Sequence, residues 1–276
     1  MIQTKRDISN DYNLLGYYII EDFISRHDMD TLKNQAQNLI EHNINRNING
    51  LFSSQRQTQH DDDYFMTSGD KICFFHESDG PQNTLPLDHN LNKIGHALHD
   101  RDQIFKNFSY QEKIFQLLSQ LGYSIPKIVC SQYIFKQPKI GSAIDFHQDG
   151  TFVYTEPEST ITLWFALDDS SITNGCLYVI PGAHKNGLKR KFIYQNKKSS
   201  YHELSSFCWH KSHAVPLPVK AGSLVIMHGN LPHMSEKNNS VKARHAYIMN
   251  IIESKYTYPK TNWILKPKSS QMTKAN

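Results

Sequence analysis

The residues best suited to chemistry stand in one short segment, in which His147 and Asp149 flank Gln148. Residues two positions apart on a β-strand face the same side, so this imidazole and this carboxylate could reach one common point. The pair is a weak signal alone, because the same spacing occurs by chance in many chains. A second histidine from a later β-rich segment, either His228 or His233, would complete two imidazoles and one carboxylate. That set holds iron in non-haem Fe(II) oxygenases, and the lack of a cysteine in the segment argues against structural zinc.

A second group of residues could bind a carboxylate close to such a metal. Arg244 begins an apolar segment beyond His233, and a guanidinium on a neighbouring strand can hold a carboxylate through two hydrogen bonds. Ser235 closely follows His233 and could add a hydroxyl donor. Together they would form a socket for a dicarboxylate whose other end chelates the metal, as 2-oxoglutarate requires.

Composition sets the class of protein. The chain has 276 residues, of which 38% are hydrophobic and 20% charged, so it can bury a sizeable core and is not disordered. Its net charge of +4 gives no indication of a nucleic-acid or membrane partner. No apolar run approaches the ~18 residues of a membrane span, and no secretory signal precedes the apolar stretch Leu14–Ile20. We therefore expect a soluble, cytoplasmic protein, and the sequence gives no prediction of its oligomeric state.

The first half of the chain reads as helices with loops. A capping box of Ser25 and Asp28 predicts a helix that continues to Ile40, and a second box of Ser109 and Glu112 predicts another. We expect a helix-rich part over 1–124, interrupted by a polar loop over 41–63. Gly122 is the expected stop of the second helix.

The second half reads as short strands separated by turn signals. The predicted strands are Tyr133–Phe135, Thr160–Leu167, Cys176–Ile180, Ser223–Met227 and His245–Ile252. Regularly spaced strands after a helical half predict a mainly β fold with packed α-helices, with a double-sheet jelly-roll core over about 125–255. We expect one domain over 1–276 with a loose tail at about 266–276.

These residues and several longer segments closely resemble the phytanoyl-CoA dioxygenase family of Fe(II)/2-oxoglutarate oxygenases. The segments that carry the resemblance are Asp63–Lys71, Asn92–His99, Gln132–Pro138, Tyr154–Pro157, Asn174–Leu177 and Pro181–His184. The family implies a double-stranded β-helix (jelly-roll) fold, with Fe(II), 2-oxoglutarate and O2 as cofactor and co-substrates and ascorbate in a supporting role.

The resemblance also implies a role for individual residues. His147, Asp149 and His233 would be the iron ligands, and the family's spacing to the arginine favours His233 over His228. Arg244, with Ser235 beside it, would pair with the distal carboxylate of 2-oxoglutarate.

Further co-substrate contacts are implied for Lys93, Gln132 and Trp164. Gln132 departs from the methionine of a relative, so a main-chain contact would survive there more readily than a side-chain contact. Lys93 could instead be a solvated lysine on a helix face, and Trp164 could be a core residue. Asp149 favours hydroxylation, because a halogenase of the family lacks this carboxylate ligand.

The predicted function is a dioxygenase that hydroxylates a C–H bond of an unidentified small-molecule or acyl substrate and releases succinate and CO2. One alternative is a non-catalytic protein that senses iron or a 2-oxo acid, and another is a zinc hydrolase.

The basic run Lys185–Lys198 could attract a phosphorylated or CoA-linked substrate or simply be a solvated loop. The histidines His202, His210 and His213 are expected to be loop residues. The absence of a terminal Ser-Lys-Leu argues against a peroxisomal fatty-acid enzyme.

Overall fold

A computed structural model describes residues 8–43, 50–52, 63–77 and 87–264. The α-helices are α1 (Ile8–Leu15), α2 (Arg26–Glu41), α3 (Asp63–Met66), α4 (Leu87–Asn90), α5 (Leu98–Arg101), α6 (Gln103–Ser109) and α7 (Glu112–Gln120). The strands are β1 (Tyr17–Ile20), β2 (Gly50–Phe52), β3 (Ile72–Glu77), β4 (Leu91–His96), β5 (Pro126–Ile134), β6 (Ile144–His147), β7 (Ile161–Ala166), β8 (Leu177–Val179), β9 (Arg190–Gln195), β10 (Lys198–Glu203), β11 (Val215–Leu217), β12 (Leu224–His228), β13 (His233–Ser235) and β14 (Ala246–Glu253).

Two mainly antiparallel sheets form the framework of the fold. The large sheet has eight strands in the order β1-β12-β7-β14-β5-β4-β3-β2, and the small sheet has four in the order β11-β8-β13-β6. A separate hairpin pairs β9 with β10. None of the described helices has both the length and the apolar character needed to cross a membrane.

The large sheet has a different core on each face, as β7 illustrates. Leu163 and Phe165 belong to the core that helices α2, α6 and α7 cover, whereas Trp164 and Ala166 belong to the core shared with β8 and β11 of the small sheet. This alternation follows from the two-residue period of a strand. The candidate site lies on the second face, between the sheets.

The predicted helix ends are partly correct. Ser25 accepts from the Asp28 amide at 3.0 Å, and Asp28 accepts from the Ser25 amide, so the first capping box is confirmed. The second box is wrong, because Ser109 ends α6 and its hydroxyl pairs with that of Tyr247 at 2.8 Å inside the core. The predicted stop after α7 is confirmed, since Gly122 has a left-handed φ of +90°.

The first half also contains strands that the prediction of helices and loops missed. β1 pairs with β12, and β4 pairs with β5, so both extend the large sheet. Every residue of β4 is buried, which removes the polar alternation by which a strand is recognised in a sequence. Lys93 lies on this strand and is only 4% exposed, so the alternative of a solvated lysine on a helix is wrong.

The predicted strands of the second half are present as β5, β7, β8, β12 and β14, with shifted ends. The largest shift is in β5, which begins at Pro126 although the sequence predicts a start at Tyr133. Most of the polar loop predicted over 41–63 lies outside the described residues, and so does the predicted tail over 266–276.

Candidate active site

Two strands of the small sheet bring the central residues together. His233 on β13 lies directly opposite His147 at the end of β6. Nε2 of His147 is 3.5 Å from Oδ1 of Asp149, and Nε2 of His233 is 3.8 Å from the same oxygen. The three side chains thus present one ligand atom each, all within 4.8 Å of one another.

Asp149 does not lie on the same strand as His147. β6 ends at His147, and Asp149 begins a 3₁₀ turn over Asp149–Thr151. The prediction that both residues lie on one strand is therefore wrong. The turn bends the chain so that the carboxylate lies beside the imidazole at the strand end.

Hydrogen bonds orient all three side chains. Nδ1 of His147 lies 2.9 Å from the Asp145 carbonyl, and Nδ1 of His233 lies 2.9 Å from the Leu231 carbonyl. A carbonyl only accepts, so each Nδ1 carries a proton and Nε2 is the atom that each ring directs at Asp149. In metal centres, hydrogen bonds of this kind commonly fix the tautomer of a histidine ligand.

Two donors hold the outer oxygen of the aspartate. Thr162 donates its hydroxyl to Oδ2 of Asp149, and the Asn250 amide donates to Oδ2 at 3.3 Å and to the Thr162 hydroxyl at 2.9 Å. This leaves Oδ1 directed at the histidines. Sequence reasoning missed both donors, although each is a polar residue among apolar neighbours on its strand.

The protonation states of the cluster suit a divalent cation. Burial alone would raise the pKa of Asp149, but the charge of His233 and the hydrogen bond and charge of His147 lower that pKa well below its ordinary value. Burial, with the charge of His147, lowers the pKa of His233 to about 4. Asp149 is therefore an anion and His233 is neutral at pH 7. Two imidazole lone pairs and one carboxylate fit Fe(II) and leave the other coordination positions open.

Thr162→Val should weaken metal binding without unfolding the protein. Valine has nearly the same shape as threonine but cannot donate to Asp149, and loss of such a supporting contact lowers metal affinity by about 10- to 100-fold. The measurement is a Co(II) titration followed by its absorption. Thr173→Val removes an exposed hydroxyl and should bind Co(II) as the wild type does; equal affinities for both variants would contradict the assigned support.

The metal-binding cluster lies in a cavity of about 260 Å³ that also contains Arg244. The Arg244 side chain is 2% exposed, and its guanidinium carbon lies 5.3 Å from the centroid of the Trp164 ring. Its Nε has no hydrogen-bond partner within the described part of the chain. Burial lowers the pKa of Arg244 to about 10, which still leaves it a cation at neutral pH. A buried cation with a free donor is suited to a carboxylate ligand.

The sequence of the chain matches a known protein family. The family model described as phytanoyl-CoA dioxygenase matches residues 12–246. A phytanoyl-CoA dioxygenase of Arabidopsis thaliana is 41% identical over 92% of this chain and 90% of its own length. The phytanoyl-CoA dioxygenase domain-containing protein 1 of Mus musculus is 37% identical over 90% of each chain. The chain belongs to the phytanoyl-CoA dioxygenase family.

Solved structures agree on the architecture. A crystal structure of EctD from S. alaskensis with 2-oxoglutarate and 5-hydroxyectoine covers 99% of this chain and 87% of its own, with a TM-score of 0.68 at 15% identity. The carbocyclase SnoK of nogalamycin biosynthesis covers 93% of this chain and 87% of its own, with a TM-score of 0.62 at 18% identity. The predicted jelly-roll fold is confirmed. As a phytanoyl-CoA dioxygenase family member, the chain is a dioxygenase whose cofactor and co-substrate are iron and 2-oxoglutarate.

The other residues expected to contact the co-substrate also line this cavity. Lys93 donates to Oε1 of Gln132 at 3.0 Å, so the Gln132 side chain is already engaged. Burial lowers the pKa of Lys93 to about 7. Ser235 accepts from the buried Lys136 at 2.8 Å, a contact that sequence reasoning missed. Lys136 therefore orients the Ser235 hydroxyl inside the pocket of this family member.

His228, the alternative metal ligand, lies outside the cluster. Its ring packs against His184 at 5.1 Å and Tyr12 at 6.1 Å between centroids, and burial lowers its pKa to about 4. His210 and His213 have ring centroids 6.3 Å apart, but neither belongs to a group of metal-binding residues among the positions described.

Proposed function

We propose that this phytanoyl-CoA dioxygenase family member hydroxylates a C–H bond of a small organic substrate and converts 2-oxoglutarate to succinate and CO2. The observation that carries the proposal is the shared cavity, in which the histidine–aspartate cluster and the buried Arg244 face one enclosed space. A metal ligand set and a guanidinium whose Nε has no hydrogen-bond partner among the described residues match the two ends of 2-oxoglutarate.

Each residue has a distinct proposed role. His147, Asp149 and His233 hold Fe(II), and Arg244 binds the distal carboxylate of 2-oxoglutarate with the Ser235 hydroxyl beside it. Lys93, held by Gln132, contacts the co-substrate, and Trp164 forms an apolar wall that excludes water. When bound, iron and 2-oxoglutarate activate O2, one atom of which enters the substrate C–H bond and the other succinate.

The protein's own contribution is orientation rather than proton transfer. The carboxylate of Asp149 is fixed by Thr162 and Asn250, and the guanidinium of Arg244 is fixed over the Trp164 ring. Anchoring 2-oxoglutarate at both ends would fix its orientation in the cavity. A cytoplasmic location and a small-molecule or acyl substrate stay predictions.

An ¹⁸O₂ experiment tests the proposal. Iron-loaded protein is incubated with 2-oxoglutarate and a small-molecule cell extract under ¹⁸O₂, and the products are compared by mass spectrometry with those of Asp149→Ala. We expect one labelled atom in succinate and one in an extract component, both absent with the variant. Labelled succinate without any labelled component would contradict substrate hydroxylation and favour uncoupled turnover. Binding of iron and 2-oxoglutarate with no succinate would favour a sensor.

A further inference from the structure

We propose that Arg190 binds an anionic group of the primary substrate at the mouth of the cavity, so the substrate is a small organic anion with an apolar body. This inference rests on the proposed function, because it assigns the substrate class of the same site. Arg190 belongs to the basic run Lys185–Lys198. From the sequence, that run could either contact the substrate or be a solvated loop.

Arg190 lies at the start of β9 and lines the cavity together with His147 and Asp149. An anion held by Arg190 would therefore place the attached carbon skeleton near the metal-binding cluster, which is where hydroxylation takes place.

Two aromatic rings lie against the guanidinium of Arg190. Its central carbon lies 4.4 Å from the centroid of the Tyr201 ring and 5.7 Å from that of the Phe207 ring. A cation–π contact of this kind uses no N–H donor, so the guanidinium can still form two hydrogen bonds to one anion. The ordering cost of binding is reduced, because the side chain is oriented in advance.

Within the described part of the chain Arg190 has no ion-pair partner, whereas the adjacent Lys191 has one. No carboxylate lies within 4.0 Å of its guanidinium among the residues described, including Asp145, an exposed residue of the cavity mouth. Lys191 pairs with Glu156 at 2.8 Å, and Lys189 donates to the Asn186 carbonyl at 2.7 Å. Of these adjacent cations, Arg190 alone lines the cavity.

With iron and 2-oxoglutarate bound, Arg190 would still attract an anion. Iron, its three ligands and 2-oxoglutarate carry one net negative charge together, and Arg244 balances it. Arg190 then adds a positive charge at the mouth, where the carboxylate of Asp145 lies more than 4.0 Å from its guanidinium. Electrostatic complementarity of this kind selects ligands by charge.

The surroundings of Arg190 indicate what else the substrate carries. The rings of Phe146 and Phe152 line the same cavity. The ring centroid of Phe152 lies 6.5 Å from that of Tyr201. Aromatic walls favour an aliphatic or aromatic body beside the anionic group. The volume of about 260 Å³, part of which 2-oxoglutarate fills, limits the enclosed part of the substrate to a small group.

Matched ligand pairs test the assignment. The probes are straight-chain acids from hexanoate to decanoate, 4-phenylbutyrate, their neutral amides and the corresponding alkyl phosphates. Binding to protein loaded with Mn(II) and 2-oxoglutarate is measured by calorimetry for the wild type, Arg190→Gln, Arg190→Lys and Lys191→Gln. We expect an anionic series to bind about 10- to 100-fold more tightly than the amides, a preference that Arg190→Gln loses and Lys191→Gln keeps. The preferred series tells carboxylate from phosphate recognition, and Arg190→Lys should keep part of the preference.

Acids, phosphates and amides of equal affinity, no binding of any series, or a preference that survives Arg190→Gln in folded protein would each overturn the assignment. Failure of the proposed function is recognised separately. Wild-type protein would then form no succinate from 2-oxoglutarate with iron and O2, whichever probe is added.

Discussion

Asp149→Ala should abolish succinate formation from 2-oxoglutarate, with a decrease of at least about 100-fold. Oδ1 of Asp149 lies within 3.8 Å of both Nε2 atoms, so its removal leaves two imidazoles and no anionic ligand. Metal affinity falls both because one ligand is lost and because the positive charge of the ion is less compensated. The Thr162 hydroxyl and the Asn250 amide also lose their shared acceptor.

The measurement combines Co(II) titration with an assay of succinate at saturating iron. Asp149→Asn keeps the shape of the side chain and tests the charge alone; we expect it to be nearly as inactive. Asp70→Ala is the matched control, since that carboxylate is exposed and pairs with Arg101 at the surface. Wild-type turnover by Asp149→Ala would show that the cluster is not the metal centre.

Arg244→Ala should raise the KM for 2-oxoglutarate about 30-fold or more while metal binding is retained. Truncating one partner of a buried charge-assisted pair costs about 2–5 kcal/mol, and each 1.4 kcal/mol is a factor of about ten. The guanidinium is buried against Trp164 with a free Nε, so water cannot replace it efficiently.

Initial rates over a range of 2-oxoglutarate concentrations measure this effect. Arg244→Lys keeps a cation of similar length and should lie between the wild type and alanine, because lysine lacks the two-pronged geometry of arginine. Arg101→Ala removes an arginine from the surface pair with Asp70 and should have a wild-type KM. An unchanged KM in a folded Arg244→Ala protein would place the dicarboxylate socket elsewhere.

The sequence indicated the chemistry of the site better than its geometry. Residue types and their order along the chain pointed to two histidines, an aspartate and an arginine. The choice between His228 and His233 depended on the family resemblance, because only strand register places His233 opposite His147. Register depends on long-range pairing, which no local pattern specifies.

The helix-rich half shows the same limit. The buried strand that carries Lys93 has no polar alternation, and its partner β5 lies far along the chain. Thr162, Asn250 and Lys136 were overlooked, although a buried polar side chain needs a partner. Applied to the sequence, this requirement could have indicated that these side chains hold the residues of the site.

The most direct test of the central claim is succinate formation by protein loaded with Fe(II) without oxygen and then given 2-oxoglutarate, ascorbate and air. No primary substrate is added, so the assay reports the co-substrate reaction alone. We expect slow, iron-dependent succinate formation that stops in Asp149→Ala and continues in Asp70→Ala. Protein that binds neither iron nor 2-oxoglutarate and forms no succinate would contradict the account.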